Sequence, residues 1–247
     1  MNENRNKLKK VSEKFISDTF FMPVIGAEIE FYLKDSGIDL IKKNCDERQI
    51  KYLEIKEEKG ESQWEISISH KNDVVAIADE ILKIRESFKD ADFSAMPFDS
   101  GYGNSLHIHI SLPDKDGKNI FAKNDDEESL YMKYAIGGLL EKMPEHMRVF
   151  APYDKCYERL KNGNDAPSTI SWGGNNRTVA LRLPTTTTEP ENRRIEHRVA
   201  AADSDPYLVI SAILEGIYYG ILNKVLPKSE KIYGDASLKM YGLDSLY

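Results

Sequence analysis

In three separated segments the chain alternates between apolar and ionisable side chains with a period of two. VIGAEIEFYL (24–33) sets Ala27, Ile29 and Phe31 against Glu28 and Glu30, and LHIHISL (106–112) sets Leu106, Ile108 and Ile110 against His107 and His109. RRIEHRV (193–199) sets Ile195 and Val199 against Arg194, Glu196 and Arg198. Successive side chains of a strand point to opposite faces, so each segment predicts a strand with one apolar and one charged face. The apolar faces must cover a core. The charged faces are harder to place, because two carboxylates about 7 Å apart along a strand repel and lose hydration when half-buried. One such strand is satisfied at an exposed edge; several point to a shared face supplied with cations.

Two more segments fit the pattern. TVALRLP (178–184) sets Arg182 against Leu181 and Leu183, and WEISIS (64–69) puts Trp64, Ile66 and Ile68 opposite Glu65. Residues 72–88 have a helical period through Val74, Val75, Ala78, Ile81, Leu82 and Arg85, with Asn72 or Asp73 as the cap. Helices are also predicted over 8–20, about 127–148 and 206–222, and 34–50 reads as a connection with room for a short helix. PDKDGKN ends a strand as a turn, and TTTTEPEN (185–192) is a polar loop. Strands and helices do not alternate as βαβ units, and neither GxGxxG nor GxxxxGK occurs. The expectation is an α+β fold spanning 1–247 as a single domain, its curved and largely antiparallel sheet forming a concave site backed by helices.

Bulk properties narrow the function. A net charge of -7 without a dense Lys/Arg block argues against a nucleic-acid partner. Cys45 and Cys156 make neither a disulfide framework nor a CxxC knuckle and suit a reducing cytosol. The opening MNENRNKLKKVSEKF lacks the apolar core of a signal peptide. The greasiest run, 207–222, is interrupted by Glu215 and falls short of the roughly 20 residues of a spanning helix. No membrane association and a cytoplasmic location are expected.

If the charged faces line one sheet, Glu28, Glu30, Glu65, His107 and Glu196 meet Arg177, Arg182, Arg194 and Arg198. Carboxylates with imidazole and no thiolate suit Mg²⁺ or Mn²⁺. Arginines beside them suit phosphates or carboxylates, which their planar forks bind bidentately. Together these are the components of phosphoryl transfer, where catalysis is mostly positioning and charge neutralisation.

Six segments in order across 24–222 resemble the catalytic domain of glutamine synthetase: GAEIEF, EEKGESQWE (57–65), GNSLHIHISL, YERLKNGNDAP (157–167), SWGGNNRTVALRLP and RRIEHR…DSDPYL. The resemblance implies two or more divalent ions, one held by Glu30, Glu57 and Glu65 and a second by Glu28, His107 and Glu196. Glu58 and Glu61 neighbour Glu57 and leave that register open. By the same resemblance Arg159 and Arg198 grip the carboxylates of glutamate, and Gly103 lies in that pocket's loop. Arg177, Arg182 and Arg194 face the phosphates of ATP or the transferred phosphoryl group, and His109 and Ser111 are contacts on the nucleotide side. Asp165 stands where the family's flap carries glutamate, the acid that shields the intermediate and helps deprotonate ammonium. The implied reaction phosphorylates the γ-carboxylate of glutamate, after which ammonia or another amine displaces phosphate. Five glutamates facing five arginines imply that metals and ATP arrive largely together.

The pattern also departs from the family. Asp165 is one methylene short, Tyr102 replaces an Asn, and Glu191 replaces a lysine. The first charged strand starts at residue 24, so the family's N-terminal β-grasp domain and its C-terminal helices are expected to be absent. A homo-oligomer or a partner chain would then complete the site. Three functions follow: a glutamate ligase using ammonia or a larger amine, a non-catalytic homologue that binds nucleotide or glutamate or regulates a partner, or a phosphotransferase or ligase acting on a different acid.

Overall fold

A computed structural model describes residues 3–123, 127–163, 165–185 and 192–247. The strands form in the alternating segments. They are β1 (Val24–Tyr32), β2 (Tyr52–Glu57), β3 (Gln63–Lys71), β4 (Leu106–Ser111), β5 (Trp172–Gly173), β6 (Leu181–Arg182) and β7 (Ile195–His197). They join in the order β2-β3-β1-β4-β7-β6-β5, with every pairing antiparallel except β5 with β6. This is the expected α+β architecture.

Among the described residues six α-helices accompany the sheet: α1 (Glu3–Thr19), α2 (Ile38–Glu47), α3 (Val74–Ser87), α4 (Leu130–Phe150), α5 (Asp154–Asn162) and α6 (Pro206–Asn223). Asp73 is the cap of α3, its carboxylate accepting from the Val75 and Ala76 amides. Asp205 caps α6 in the same way. The apolar side of β1, β3 and β4, including Ile29, Phe31, Ile66, Leu106 and Ile108, is fully buried in one core with α3, α4 and α6. Helix α6 is the hub, lying against α1, α3 and α4. Gly138 of α4 and Gly220 of α6 allow an approach so close that a Cβ on either would collide with the opposite backbone. Cys45 and Cys156 are free and buried. Among the described residues no helix is long and apolar enough to cross a membrane.

Several elements depart from expectation. Edge strand β2 was not predicted, because Ile55 is its sole buried residue and no alternation shows. Helix α5 forms where YERLKNG reads as loop; its mostly polar residues bury Cys156, Arg159 and Leu160. The predicted strand 178–184 is reduced to Leu181–Arg182 and that at 193–199 to Ile195–His197.

Candidate active site

Strand register turns the charged faces into rungs that run across the sheet. Lys56 of β2 pairs with Glu65 of β3, which pairs with Glu30 of β1. One rung along, Ser67 pairs with Glu28, and Glu28 with His107. On the next, His109 of β4 pairs with Glu196 of β7, and Glu196 with Arg182 of β6. Antiparallel partners put their side chains on one face about 5 Å apart, so the acids and imidazoles converge without any loop to carry them. The face opens into a cavity of about 260 Å³ whose walls include all of these groups except Ser67.

The contacts within it are specific. Glu30 Oε2 accepts from the Ser105 amide and hydroxyl at 2.8 and 2.6 Å. His107 Nδ1 lies 3.3 Å from Glu28 and 3.6 Å from Glu196. His109 Nδ1 accepts from Arg194 Nε at 3.1 Å, so the proton of a neutral ring sits on Nε2, which faces Glu28 at 3.0 Å. Glu196, fully buried, is gripped by Arg182 at 2.6 Å and by Arg198. Burial would raise its pKa, but the field of Arg198, the two imidazoles and Arg182 brings it down to about 2. Burial also works against Glu28, yet hydrogen bonds from His107 and His109 hold that carboxyl below the usual range. Glu65 is the reverse case: burial and neighbouring Glu28 push it up to about 8, which Lys56 only partly offsets. The rung that holds Glu65 is short of positive charge.

Three overlapping groups have donors within 4.8 Å of one another: Glu30, Glu58 and Glu65; Glu28, Glu65 and His107; and Glu28, His109 and Glu196. All are carboxylate or imidazole donors, which fits hard divalent ions. Glu57 is in none of them. It pairs with Trp64 and is exposed, whereas Lys56 and Glu58 face the cavity. The pleat therefore turns Glu58, and not the expected Glu57, toward the cavity. Glu61 is exposed as well.

The basic residues divide by depth. Arg159 and Arg198 are each 3% exposed, and the Nε of each is buried with no hydrogen-bond partner among the described residues. Desolvation lowers the pKa of the Arg159 guanidinium, which donates to the Val199 carbonyl. Gly103 lies against it so closely that a Cβ would collide with the Arg159 stem and the Ala95 carbonyl. Arg177 is exposed and lines the cavity mouth. Ser111 lies outside this cavity, in an adjoining groove of about 490 Å³ that shares Glu28, His109 and Arg194 with it. Asp165 takes a left-handed backbone (φ 60°), its carboxylate paired with Lys59 and its carbonyl accepting from Arg198 at 3.0 Å. Glu191 is outside the described residues.

Sequence reasoning missed Lys56, Lys59, Gln63 and Ser105. Gln63 donates to the Gly103 carbonyl and the Asn104 side chain at 3.0 and 3.1 Å, tying the β2–β3 hairpin to the loop before β4. Lys56 was legible only from its register opposite Glu65.

Residues 37–239 match the family model described as glutamine synthetase, catalytic domain. The chain belongs to the glutamine synthetase family. Its curated relatives include gamma-glutamylputrescine synthetase PuuA of Escherichia coli, 36% identical over 75% of this chain and 40% of the relative. Glutamate–isopropylamine ligase of a Pseudomonas species is 32% identical over 86% and 45%, and glutamine synthetase of Thermococcus kodakarensis 31% over 98% and 62%. The chain thus spans less than half the length of the first two relatives. The rungs described above supply eight of the residues that line this glutamine synthetase-family cavity.

Proposed function

We propose that this chain carries the catalytic centre of an ATP-dependent glutamate ligase, which activates the γ-carboxylate as an acyl phosphate and passes it to ammonia. The observation that carries the reading is the juxtaposition, in one cavity, of an acid–imidazole ladder and two buried arginines with unpartnered Nε–H groups. A buried, unsatisfied guanidinium N–H is costly, and an anionic substrate would relieve it. Arg159 and Arg198 are accordingly assigned to the carboxylates of glutamate, with Gly103 giving the ligand close access to Arg159.

Glu30, Glu58 and Glu65 would hold one divalent ion, and the expected second set, Glu28, His107 and Glu196, draws on both remaining donor groups, His107 Nδ1 lying 3.3 Å from Glu28 and 3.6 Å from Glu196. When bound, such ions neutralise phosphate charge and polarise its oxygens. Arg177, Arg182 and Arg194 are assigned to the phosphates of ATP, with His109 and Ser111 leading into the nucleotide groove. The γ-carboxylate oxygen attacks the γ-phosphorus and ADP leaves; the amine nitrogen then attacks the acyl carbon, phosphate leaves, and the amine gives up one proton. Asp165 at the mouth is the candidate acceptor of that proton. Lys59 must release its carboxylate first.

A larger amine is the second reading, favoured by the two relatives named for putrescine and isopropylamine. The deciding assay measures ADP and phosphate release with Mg²⁺ or Mn²⁺, glutamate, and either ammonia or a panel of amines. Glutamate-dependent turnover with formation of an amide is the expected result. Absence of glutamate-dependent ATP cleavage with every amine would reject the ligase.

A further inference from the structure

The three donor groups on the ladder are not equivalent, because one already contains a cation supplied by the chain. Lys56 Nζ lies 2.8 Å from Glu65 and 3.1 Å from Glu58, two of the three carboxylates of the Glu30–Glu58–Glu65 group. The placement follows from the hairpin. Lys56 is the register partner of Glu65, and Glu58 lies two residues further along the same face. The Glu65 side chain is 3% exposed and so depends on a counter-charge, whereas the Lys56 side chain is 35% exposed and has room to swing outward. No lysine lies within ion-pair distance of the donors of the other two groups, apart from the shared Glu65, among the described residues; the cations beside them are the guanidinium groups of Arg182 and Arg198.

We infer that Lys56 is a tethered competitor for the Glu30–Glu58–Glu65 position. Its ammonium stands in for a divalent ion when none is bound and must be displaced when one arrives. The inference rests on the reading that the ladder holds divalent ions. It makes this position the weaker and later-filled one, so that metal loading is sequential even though the donor groups adjoin. A single positive charge on a flexible stem satisfies two carboxylates, while a divalent ion satisfies all three, so exchange is favourable only at higher metal concentration. Filling of this position then reports divalent-ion supply, with the first ion already in place.

The test is calorimetric titration of the chelator-stripped protein with Mn²⁺ alone, in the parent, Lys56→Met and Lys56→Gln; the glutamine retains a hydrogen-bond donor if the methionine variant folds poorly. Lys71→Met, which removes a lysine paired with Glu80 elsewhere on the sheet, controls for net charge. The parent should bind in two unequal phases. Either Lys56 variant should tighten the weaker phase about tenfold or more, leave the tighter within about twofold, and lower the melting temperature of the metal-free protein in a way that Mn²⁺ restores. Lys71→Met should leave the weaker phase in place. Two phases unchanged in both Lys56 variants, or equal tightening in Lys71→Met, would overturn the competitor role while leaving the metal reading intact. No Mn²⁺ binding by the parent would overturn both.

Discussion

Glu57 and Glu58 are chemically identical neighbours, and the pleat of one hairpin strand separates their fates. Glu58 faces the cavity beside Glu30 and Glu65, while Glu57 is exposed on the other side. Glu58→Gln should weaken Mn²⁺ binding at least about tenfold, since even partners that only orient a ligand cost that much. Glu57→Gln should stay within about twofold in the same titration; the opposite order would return the register to Glu57. A second residue makes a prediction about pH. His197 is buried with its ring 4.4 Å from that of Phe150, and neither nitrogen has a hydrogen-bond partner among the described residues. Burial first, and then nearby His107, lowers its pKa to about 3. A depressed value means that its stability contribution is whole above the ordinary value of about 6.5 and is lost as pH falls toward 3, because only the unfolded chain accepts the proton. Between pH 7 and 5 that loss is about 2 kcal/mol. His197→Leu should remove about that much of the acid destabilisation measured by urea unfolding, and an equal loss in both proteins would assign it to other groups.

At the scale of elements, the sheet stands on alternation and the helical layer on close backbone approach. The alternating segments around Glu28, His107 and Glu196 were legible because their apolar faces are obligatory core, and a one-residue slip would bury charge. Register was not legible. Nothing local in YLEIKE shows that Lys56 faces Glu65, since that pairing is set by the turn at residues 59–62 and by the neighbouring strand. Helix α5 was hidden because nine mostly polar residues carry no apolar stripe, and it is Arg159 that the fold buries. The α4–α6 contact supplies a test of the helical layer. A Cβ at Gly138 would meet the Gly216 carbonyl and the Gly220 backbone, none of which can swing aside. At Gly216 the nearest atom is the Leu139 methyl Cδ2 at 3.1 Å, which can yield. Gly138→Ala should therefore destabilise by about 1–3 kcal/mol despite alanine's better helix propensity, and Gly216→Ala by less. Thermal unfolding of the two variants checks the order, and a neutral Gly138→Ala would show that the helices separate at little cost.

For the molecule as a whole, the net charge of -7 does not describe the cavity, where six carboxylates face seven lysines and arginines. Near-balance has a consequence for ligand order. A divalent ion arriving alone adds to the positive side, and a nucleotide arriving alone adds negative phosphates beside carboxylates that still lack their ions. Each relieves the charge left by the other, so their binding should be positively coupled, by about 1–3 kcal/mol, and reciprocally. Complexation of metal by nucleotide in free solution would mimic such coupling, so the decisive comparison alters the protein. Glu65→Gln removes one buried carboxylate from the side of the ladder that is short of positive charge. Measured in excess chelator above pH 8, where the Glu65 carboxyl is ionised, ADP should bind this variant several-fold more tightly than the parent, because less negative charge opposes the phosphates. With Mg²⁺ present the advantage should shrink or reverse, because the variant has lost a carboxylate proposed to hold the metal. ADP affinity in chelator that is unchanged or weaker in Glu65→Gln would show that the ladder and the arginines proposed for the phosphates act independently.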